Sequence, residues 1–288
     1  MPIKYQMLGG GGGRTDLLLK VAPNIIVTLS REGYTSTLTT DEQGQALFKR
    51  LKAGTYTAII QSGNVKFQKE IVIPDKLEET LNTKQIKDLP LGAKLKFSSG
   101  KTFKLLKKNA KGHPSNSATF WSEYIIQMHR FDGVQYFDSY VHSTIMPSYY
   151  NELNEQEKLA VIEQERIAVT YTESGTGTSK KGRTNFYLLT VRELGHSDKY
   201  PTEYENLGFG SNVTRIKKTT AELARDYCTS DVYQSRSGNS YYGRFIQEDG
   251  SFSSGNDISG RGIVPACDLK NDAYVILDAD GYYKVLKA

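Results

Sequence analysis

The sequence predicts a mainly β protein with some α structure, divided into two domains. Apolar and polar residues alternate over short runs, as at Ile25, Val27 and Leu29, which marks strands with one buried face. Turn-forming groups such as Asp41-Glu42-Gln43-Gly44 and Ser62-Gly63-Asn64 separate such runs at roughly ten-residue spacing, the rhythm of a sandwich. The 288 residues include 26 Gly and 19 Tyr but only 4 Met, a bias toward turns and strands, and the length suffices for two separate cores.

In chain order, the first expectation is a flexible Gly-rich docking arm over residues 1–16. Its five consecutive glycines at 9–13 have the most backbone entropy to lose and so resist a single conformation. Ile3, Tyr5, Met7 and Leu8 ahead of them read as an apolar docking peptide that orders on a partner. A phosphate loop is not expected, because Arg14 and Thr15 stand where G-K-[ST] would.

Residues 17–74 read as a small β-sandwich serving as a spacer. Ala46 and Phe48 point one way ahead of Leu51, Lys52-Ala53-Gly54 turns the chain into the strand of Tyr56, and Ser62-Gly63-Asn64 turns it again. Residues 75–90 form a linker in which Asp75 and Glu78 cap a short helix reaching about Leu81.

The second domain, 91–288, opens with a hairpin around Ser98-Ser99-Gly100-Lys101. A β-capable run follows over 120–128. Asn154 with Glu157 predicts a helix carrying Leu159, Ile162 and Ile167, and Thr219 with Glu222 predicts one carrying Leu223 and Tyr227. Between them, residues 186–194 read as a buried strand or strand-helix unit. Glu248-Asp249-Gly250 and Asp280-Gly281 each close a hairpin.

Two stretches resemble known families. Thr39-Thr40-Asp41-Glu42-Gln43-Gly44, Phe48, Leu51 and Ala53-Gly54-Thr55-Tyr56 resemble the T-D-x-x-G…F…L…G-x-Y signature of carboxypeptidase-regulatory-like domains. That resemblance implies an Ig/prealbumin-like β-sandwich used as a spacer or interaction module. The second domain resembles an uncharacterised bacterial and phage family with a C-type-lectin-like or sulfatase-modifying-factor-like α+β fold. The matching pieces are Gly92 and Phe97 with Phe103, Leu105 and Leu106, the Asn154 helix, Phe186-Tyr187-Leu188-Leu189-Thr190-Val191-Arg192-Glu193-Leu194, and Gly262-Ile263-Val264-Pro265-Ala266-Cys267-Asp268-Leu269. Val264 replaces the usual Arg, and Tyr233-Gln234-Ser235-Arg236-Ser237 is one residue longer than the family's W-[LT]-R-S. The resemblance supplies no catalytic set.

The chemistry-bearing residues are dispersed. Net charge is +5, yet residues 84–111 hold nine Lys against Asp88, so the basicity is local. Lys94, Lys96 and Lys104 alternate with Leu95, Phe97 and Phe103, the pattern of a strand with a solvated face, so nucleic-acid binding is not expected. Cys228 and Cys267 read as two buried thiols, with one disulfide as the alternative. His113, His129, His142 and His196 show no H-x-H or H-E-x-x-H spacing. The formal S-x-x-K at Ser98 to Lys101 falls in a turn, Asp278-Ala279-Asp280-Gly281 lacks the rest of a calcium loop, and Asp132 with Asp138 carries no glycosidase geometry. No cofactor or metal is expected.

What remains is aromatic surface. Tyr200, Tyr204, Tyr241, Tyr242 and Phe252, with Tyr149-Tyr150, fall in Gly/Ser-rich segments and are the candidate ligand contacts, because tyrosine joins a large apolar face to a hydroxyl at low rotamer cost. No run is long enough for a membrane span and no apolar signal core opens the chain, so neither membrane insertion nor signal-dependent export is expected. These readings lead us to expect a non-enzymatic, multicopy or homo-oligomeric virion protein of a bacteriophage or tailocin. It would be released by lysis, held to other virion proteins through its arm, and directed at a host cell-surface glycan or protein. Tail or baseplate receptor binding is the first expectation and capsid decoration the second. A cell-wall polymer hydrolase and a bacterial surface adhesin are the alternatives from other classes.

Overall fold

The computed structural model describes residues 6–10, 14–52, 54–73, 83–130, 135–172, 177–196, 203–234, 241–255 and 260–288. The protein is mainly β, with 51% strand against 12% helix. It divides into two compact units. Met1–Leu89 joins Asn154–Ala160 and Asp272–Ala288 in the first, and Pro90–Leu153 joins Val161–Asn271 in the second.

The first unit contains β1 (Gln6–Gly10), β2 (Arg14–Lys20), β3 (Ile26–Arg31), β4 (Tyr34–Thr39), β5 (Gln45–Lys52), β6 (Gly54–Ser62), β7 (Val65–Ile73) and β8 (Thr83–Gln85). One sheet runs β1-β2-β5 and the other β4-β3-β6-β7, every neighbouring pair antiparallel. Alternation decides which side chains meet between them. Leu17 and Leu19 of β2 and Phe48 of β5 turn in to join Val27 and Leu29 of β3 and Tyr56, Ala58 and Ile60 of β6 in one buried cluster. Tyr56 also donates its hydroxyl to the Lys52 carbonyl at 2.9 Å.

The arm expectation needs revision over its described part. Gln6–Gly10 is a strand, with Gly9 opposite Thr15 and Gly10 opposite Arg14. A glycine backbone has the same donor and acceptor as any other, so an adjacent strand can offset its entropy through ladder bonds. Ile3, Tyr5 and the linker helix expected near 75–81 lie outside the described residues.

Gly44 shows why one turn demands its residue. It sits at φ +73, its carbonyl accepts from Val21 N at 2.6 Å, and an added Cβ would stand 1.9 Å from the Val21 carbonyl oxygen. Gly44→Ala is therefore expected to destabilise this unit by about 2–4 kcal/mol. Gly33→Ala, at φ +71 with open space around it, should cost only about 1 kcal/mol. Urea denaturation of both variants checks the difference, and equal losses would remove the steric argument.

The second unit begins with β9 (Lys94–Lys96), β10 (Thr102–Lys108), β11 (Ser117–Ser122) and β12 (Gln127–His129), then α1 (Met146–Asn151). It continues through β13 (Gln164–Thr172), β14 (Thr178–Thr184), β15 (Phe186–Leu188), β16 (Tyr227–Gln234), β17 (Tyr241–Ile246), β18 (Phe252–Gly255), β19 (Arg261–Ile263) and β20 (Pro265–Lys270). One sheet runs β15-β20-β11-β10-β9, all antiparallel. A second runs β12-β19-β16-β13-β14, with β17 and β18 added from β16, and here β16 is parallel to β13 and β19. Trp121, Tyr187, Leu189, Tyr227, Ile246 and Ala266 form the main apolar cluster of this unit. The expected Lys/Leu alternation is present: Leu95, Phe97 and Phe103 are buried while Lys94 and Lys104 are exposed. Cys228 and Cys267 are buried and not joined in a disulfide.

Two helix expectations are corrected. The Asn154 cap is real, since Asn154 Oδ1 accepts from Glu157 N and Glu157 Oε2 accepts from Asn154 N, both at 3.0 Å. Its helix, α2 (Glu155–Ala160), ends after six residues, and Ile167 lies in β13 instead. Thr219 and Glu222 close a hairpin turn, with Thr219 N donating to Leu223 O at 2.9 Å and Glu222 at φ +61, and Tyr227 starts β16. The closing hairpin, β21 (Tyr274–Leu277) with β22 (Tyr283–Lys287), forms around Gly281 as expected but groups with the first unit. There β21 pairs with β8, and Ile276 and Leu286 enter the sandwich core.

Candidate functional site

The second unit gathers its ionisable chemistry in one sealed place. Asp268 stands on β20 and Thr119 on β11, two strands in direct register, with Thr119 opposite Asp268. Gln164 and Arg166 project inward from β13, where alternation buries 164, 166 and 168. Tyr187 comes from β15. His113 is held on a turn by its backbone N, which donates to Ala110 O at 3.1 Å. Glu193 belongs to a T-x-x-E turn that closes on itself. Thr190 N and Oγ1 donate to Glu193 Oε2 at 2.8 and 2.9 Å, and Glu193 N donates to Thr190 Oγ1 at 3.1 Å.

His113 is the centre of the arrangement. Its Nδ1 lies 3.0 Å from Asp268 Oδ2 and its Nε2 2.9 Å from Glu193 Oε1, with all three side chains fully enclosed. Arg166 Nη2 donates to both Glu193 oxygens, at 2.7 and 2.6 Å. Its guanidinium is sandwiched between the rings of Tyr187 at 4.0 Å and Tyr204 at 4.1 Å. Asp268 accepts further bonds from Thr119 Oγ1 at 2.6 Å, Tyr187 OH at 2.8 Å and Gln164 Nε2. Two cations thus face two anions, and the dense donor set offsets much of their desolvation.

The charge states follow from these neighbours. Burial works against a charged imidazole, but the Asp268 carboxylate and the contacts with both acids outweigh it and raise His113 to about 9. Burial likewise works against ionised Glu193, yet the Arg166 guanidinium and His113 bring it down to about 2. Asp268 is lowered for the same reason, chiefly by His113. A separate acid, Asp231 on β16, is pushed up to about 7 by burial while accepting from Val191 N at 2.7 Å and Val169 N at 3.3 Å. With both nitrogens against carboxylates, a protonated His113 has no free lone pair for general base work. The quartet is built to hold strands and loops together.

The aromatic candidates are dispersed. Tyr204 is buried, not displayed: its ring covers Arg166 and its hydroxyl accepts from Ile167 N at 2.7 Å. Tyr149 is also buried, edge-on to Phe186 at 6.2 Å. Phe252 is half-buried, packed against His196 at 4.5 Å and under Arg215 at 4.4 Å. Tyr241 and Tyr242 lie in β17 opposite Gln234 and Tyr233. Met7 and Leu8 lie in β1, and Tyr200 is outside the described residues. Among the described residues no group of His, Cys, Asp and Glu is arranged to hold a metal ion, and no helix is long and apolar enough to cross a membrane.

Sequence reasoning passed over His113, Arg166, Glu193 and Asp268 as a set. The available signal was the pair Glu193 and Asp268, each a carboxylate inside an otherwise apolar run, where a charge requires a partner. Compared with known proteins, residues 100–271, more than half of the chain, match the model of a family described as Domain of unknown function (DUF6273). No curated protein and no solved structure matches the chain.

Proposed function

This chain belongs to the DUF6273 family, and we propose that it is a non-enzymatic structural and binding protein of a bacteriophage or tailocin particle. The observation that carries the reading is the enclosure of the His113–Asp268 and Arg166–Glu193 pairs. Groups able to move protons are used as internal framework, with their side chains 0–3% exposed, whereas a hydrolase needs a carboxyl at a substrate. In this reading the first unit is an Ig/prealbumin-like spacer and the second a C-type-lectin-like module. The module directs exposed turns, such as the one that precedes Phe252, to a host-surface glycan or protein, and residues 1–16 hold the chain to other virion proteins. Weak single contacts suit such a part, because many copies on one particle multiply affinity.

The test is mass spectrometry and cryo-electron microscopy of particles from the source strain, alongside zymography of the purified chain on peptidoglycan. The expected result is density for this chain on the tail or baseplate and no cleared zone. Density in icosahedral array on the head would move the role to capsid decoration. Absence from every particle together with a cleared zone would replace the reading with cell-wall hydrolysis.

A further inference from the structure

A polar pocket of the second unit, about 300 Å³, shares no residue with the charge quartet and lies between the helical stretch 141–151 and the β13–β14 hairpin. One wall is a turn of π-helix, Val141–Ile145, that runs directly into α1. This stretch is pinned along its length. Ser139 Oγ donates to Tyr136 O at 2.6 Å and accepts from His142 N at 3.3 Å, while Met146 and Tyr149 are buried. Phe137 lies so close over the hairpin backbone that a Cβ added at Gly182 would stand 2.3 Å from its ring. The His142 ring in turn packs edge-on against Phe137 at 4.9 Å. The facing wall is the open end of the hairpin: Glu163 precedes β13, Arg183 and Thr184 end β14, and Asn185 follows.

The side chains around the pocket keep much of their hydrogen-bonding capacity. Arg183 gives only Nε to Glu163 Oε2, at 3.0 Å, so its two Nη groups and Glu163 Oε1 have no partner among the described residues. The amides of Asn151 and Asn185 are likewise uncommitted among those residues, and so is the buried Nδ1 of His142. Burial lowers the pKa of His142, with the Asp138 charge opposing the shift and Lys180 adding to it, so the ring is neutral at physiological pH and offers one N–H and one lone pair. The Glu163–Arg183 pair cancels its own charge. The lining thus presents donors and acceptors without a net sign, and the half-buried Tyr150 with Pro147 adds a limited apolar surface.

We infer that this pocket binds one neutral hexose unit of a glycan, with its hydroxyls held by Asn151, Asn185 and the Glu163–Arg183 pair. The inference rests on the reading of the second unit as a glycan-directed module and names what that module takes. A sugar hydroxyl donates and accepts at once, and planar amide, carboxylate and guanidinium groups each present two polar atoms at a fixed spacing that matches neighbouring hydroxyls. A lone anion would meet Glu163 and a lone cation would meet Arg183. An apolar ligand would desolvate the amides and leave them without partners. The volume sits at the lower end of the range for small-molecule sites, room for one sugar ring with the rest of its chain in solvent. Affinity for the single unit is expected to be on the order of millimolar, and many copies would raise it.

The test is saturation-transfer NMR on the full chain with methyl glucoside, methyl galactoside and methyl mannoside as separate probes, and with acetate and methylammonium as charged ones. Saturation of the ring protons is expected for at least one hexoside and none for either ion. Arg183→Ala and Asn151→Ala, both at exposed positions, should each weaken hexoside binding about tenfold and leave urea unfolding unchanged. A wild-type chain that saturates no hexoside, binding unchanged in both variants, or an ion saturated more strongly than every hexoside would overturn the inference. The outcomes also separate it from the particle reading. A chain present on particles that binds no hexoside would end the pocket's role and keep the particle's. Hexoside binding by a chain absent from every particle would do the reverse.

Discussion

Arg166→Ala is expected to destabilise the second unit by about 3–5 kcal/mol, enough to unfold much of it at ordinary temperature. The guanidinium meets both Glu193 oxygens and fills the space between the rings of Tyr187 and Tyr204. Its removal leaves a buried carboxylate short of a cation and two rings facing a void. Arg166→Lys should recover little, since an ammonium lacks the flat face that packs against the rings of Tyr187 and Tyr204. The double variant Arg166→Met with Glu193→Gln should be more stable than the alanine variant, because no charge is then stranded. Trp121 is the only tryptophan and lies in this unit's core, so urea unfolding followed by its fluorescence reads the effect. A loss under about 1 kcal/mol would mean that the pair is not buried as described.

Alkaline pH should unload the same network. His113 rises from 6.5 to about 9 on folding, so its contribution is fully present below about 6.5 and is lost as pH climbs through 9. That contribution is on the order of 3 kcal/mol. On the acid side Glu193 falls from 4.5 to about 2 and Asp268 is lowered as well. Their stabilisation is therefore present above the ordinary carboxylate range and is lost as pH falls toward 2. The His113 shoulder is expected in the unfolding free energy against pH superimposed on the slopes that Asp231, raised to about 7, and the buried Lys217, lowered to about 7, contribute. His113→Gln should lie below the wild type at neutral pH and lack the alkaline shoulder. An unchanged shoulder in that variant would assign it to another group.

Much of the strand structure was legible because it follows side-chain alternation and turn chemistry. Leu95, Phe97 and Phe103 turned inward as their spacing required, and Asp249-Gly250 and Asp280-Gly281 closed hairpins. Capping signatures were less discriminating. The same three-residue spacing of Asn or Thr to Glu starts a real helix at Asn154, a self-closing buried turn at Thr190, and a hairpin at Thr219. At Asn154 and Thr190 the side chain accepts from the N–H of the Glu three residues on, whereas at Thr219 the Glu222 N–H goes to the backbone carbonyl, so the spacing alone does not decide what it begins. The charge quartet was not legible because β13 inverts the usual code. Gln164 and Arg166 face inward while Ile167 is half-exposed, and the partners come from positions 113, 193 and 268, joined only through sheet pairing. Tyr204 was misjudged for a related reason: a polar, loop-like segment carries a ring that lids a buried cation.

The first unit is assembled from three separate stretches of chain, and this has a consequence for the order of events on the ribosome. Its sandwich strands are made before the second unit, but Ile276 and Leu286, which complete its core, are made after it. The whole of the second unit is translated in between. The early product must therefore leave the ribosome with part of its interior unfilled, and closing so long a loop is a slow, non-local step. Until the β21–β22 hairpin arrives, that open apolar face is the surface on which a nascent-chain chaperone would act, and the one from which premature termination would make an aggregating fragment.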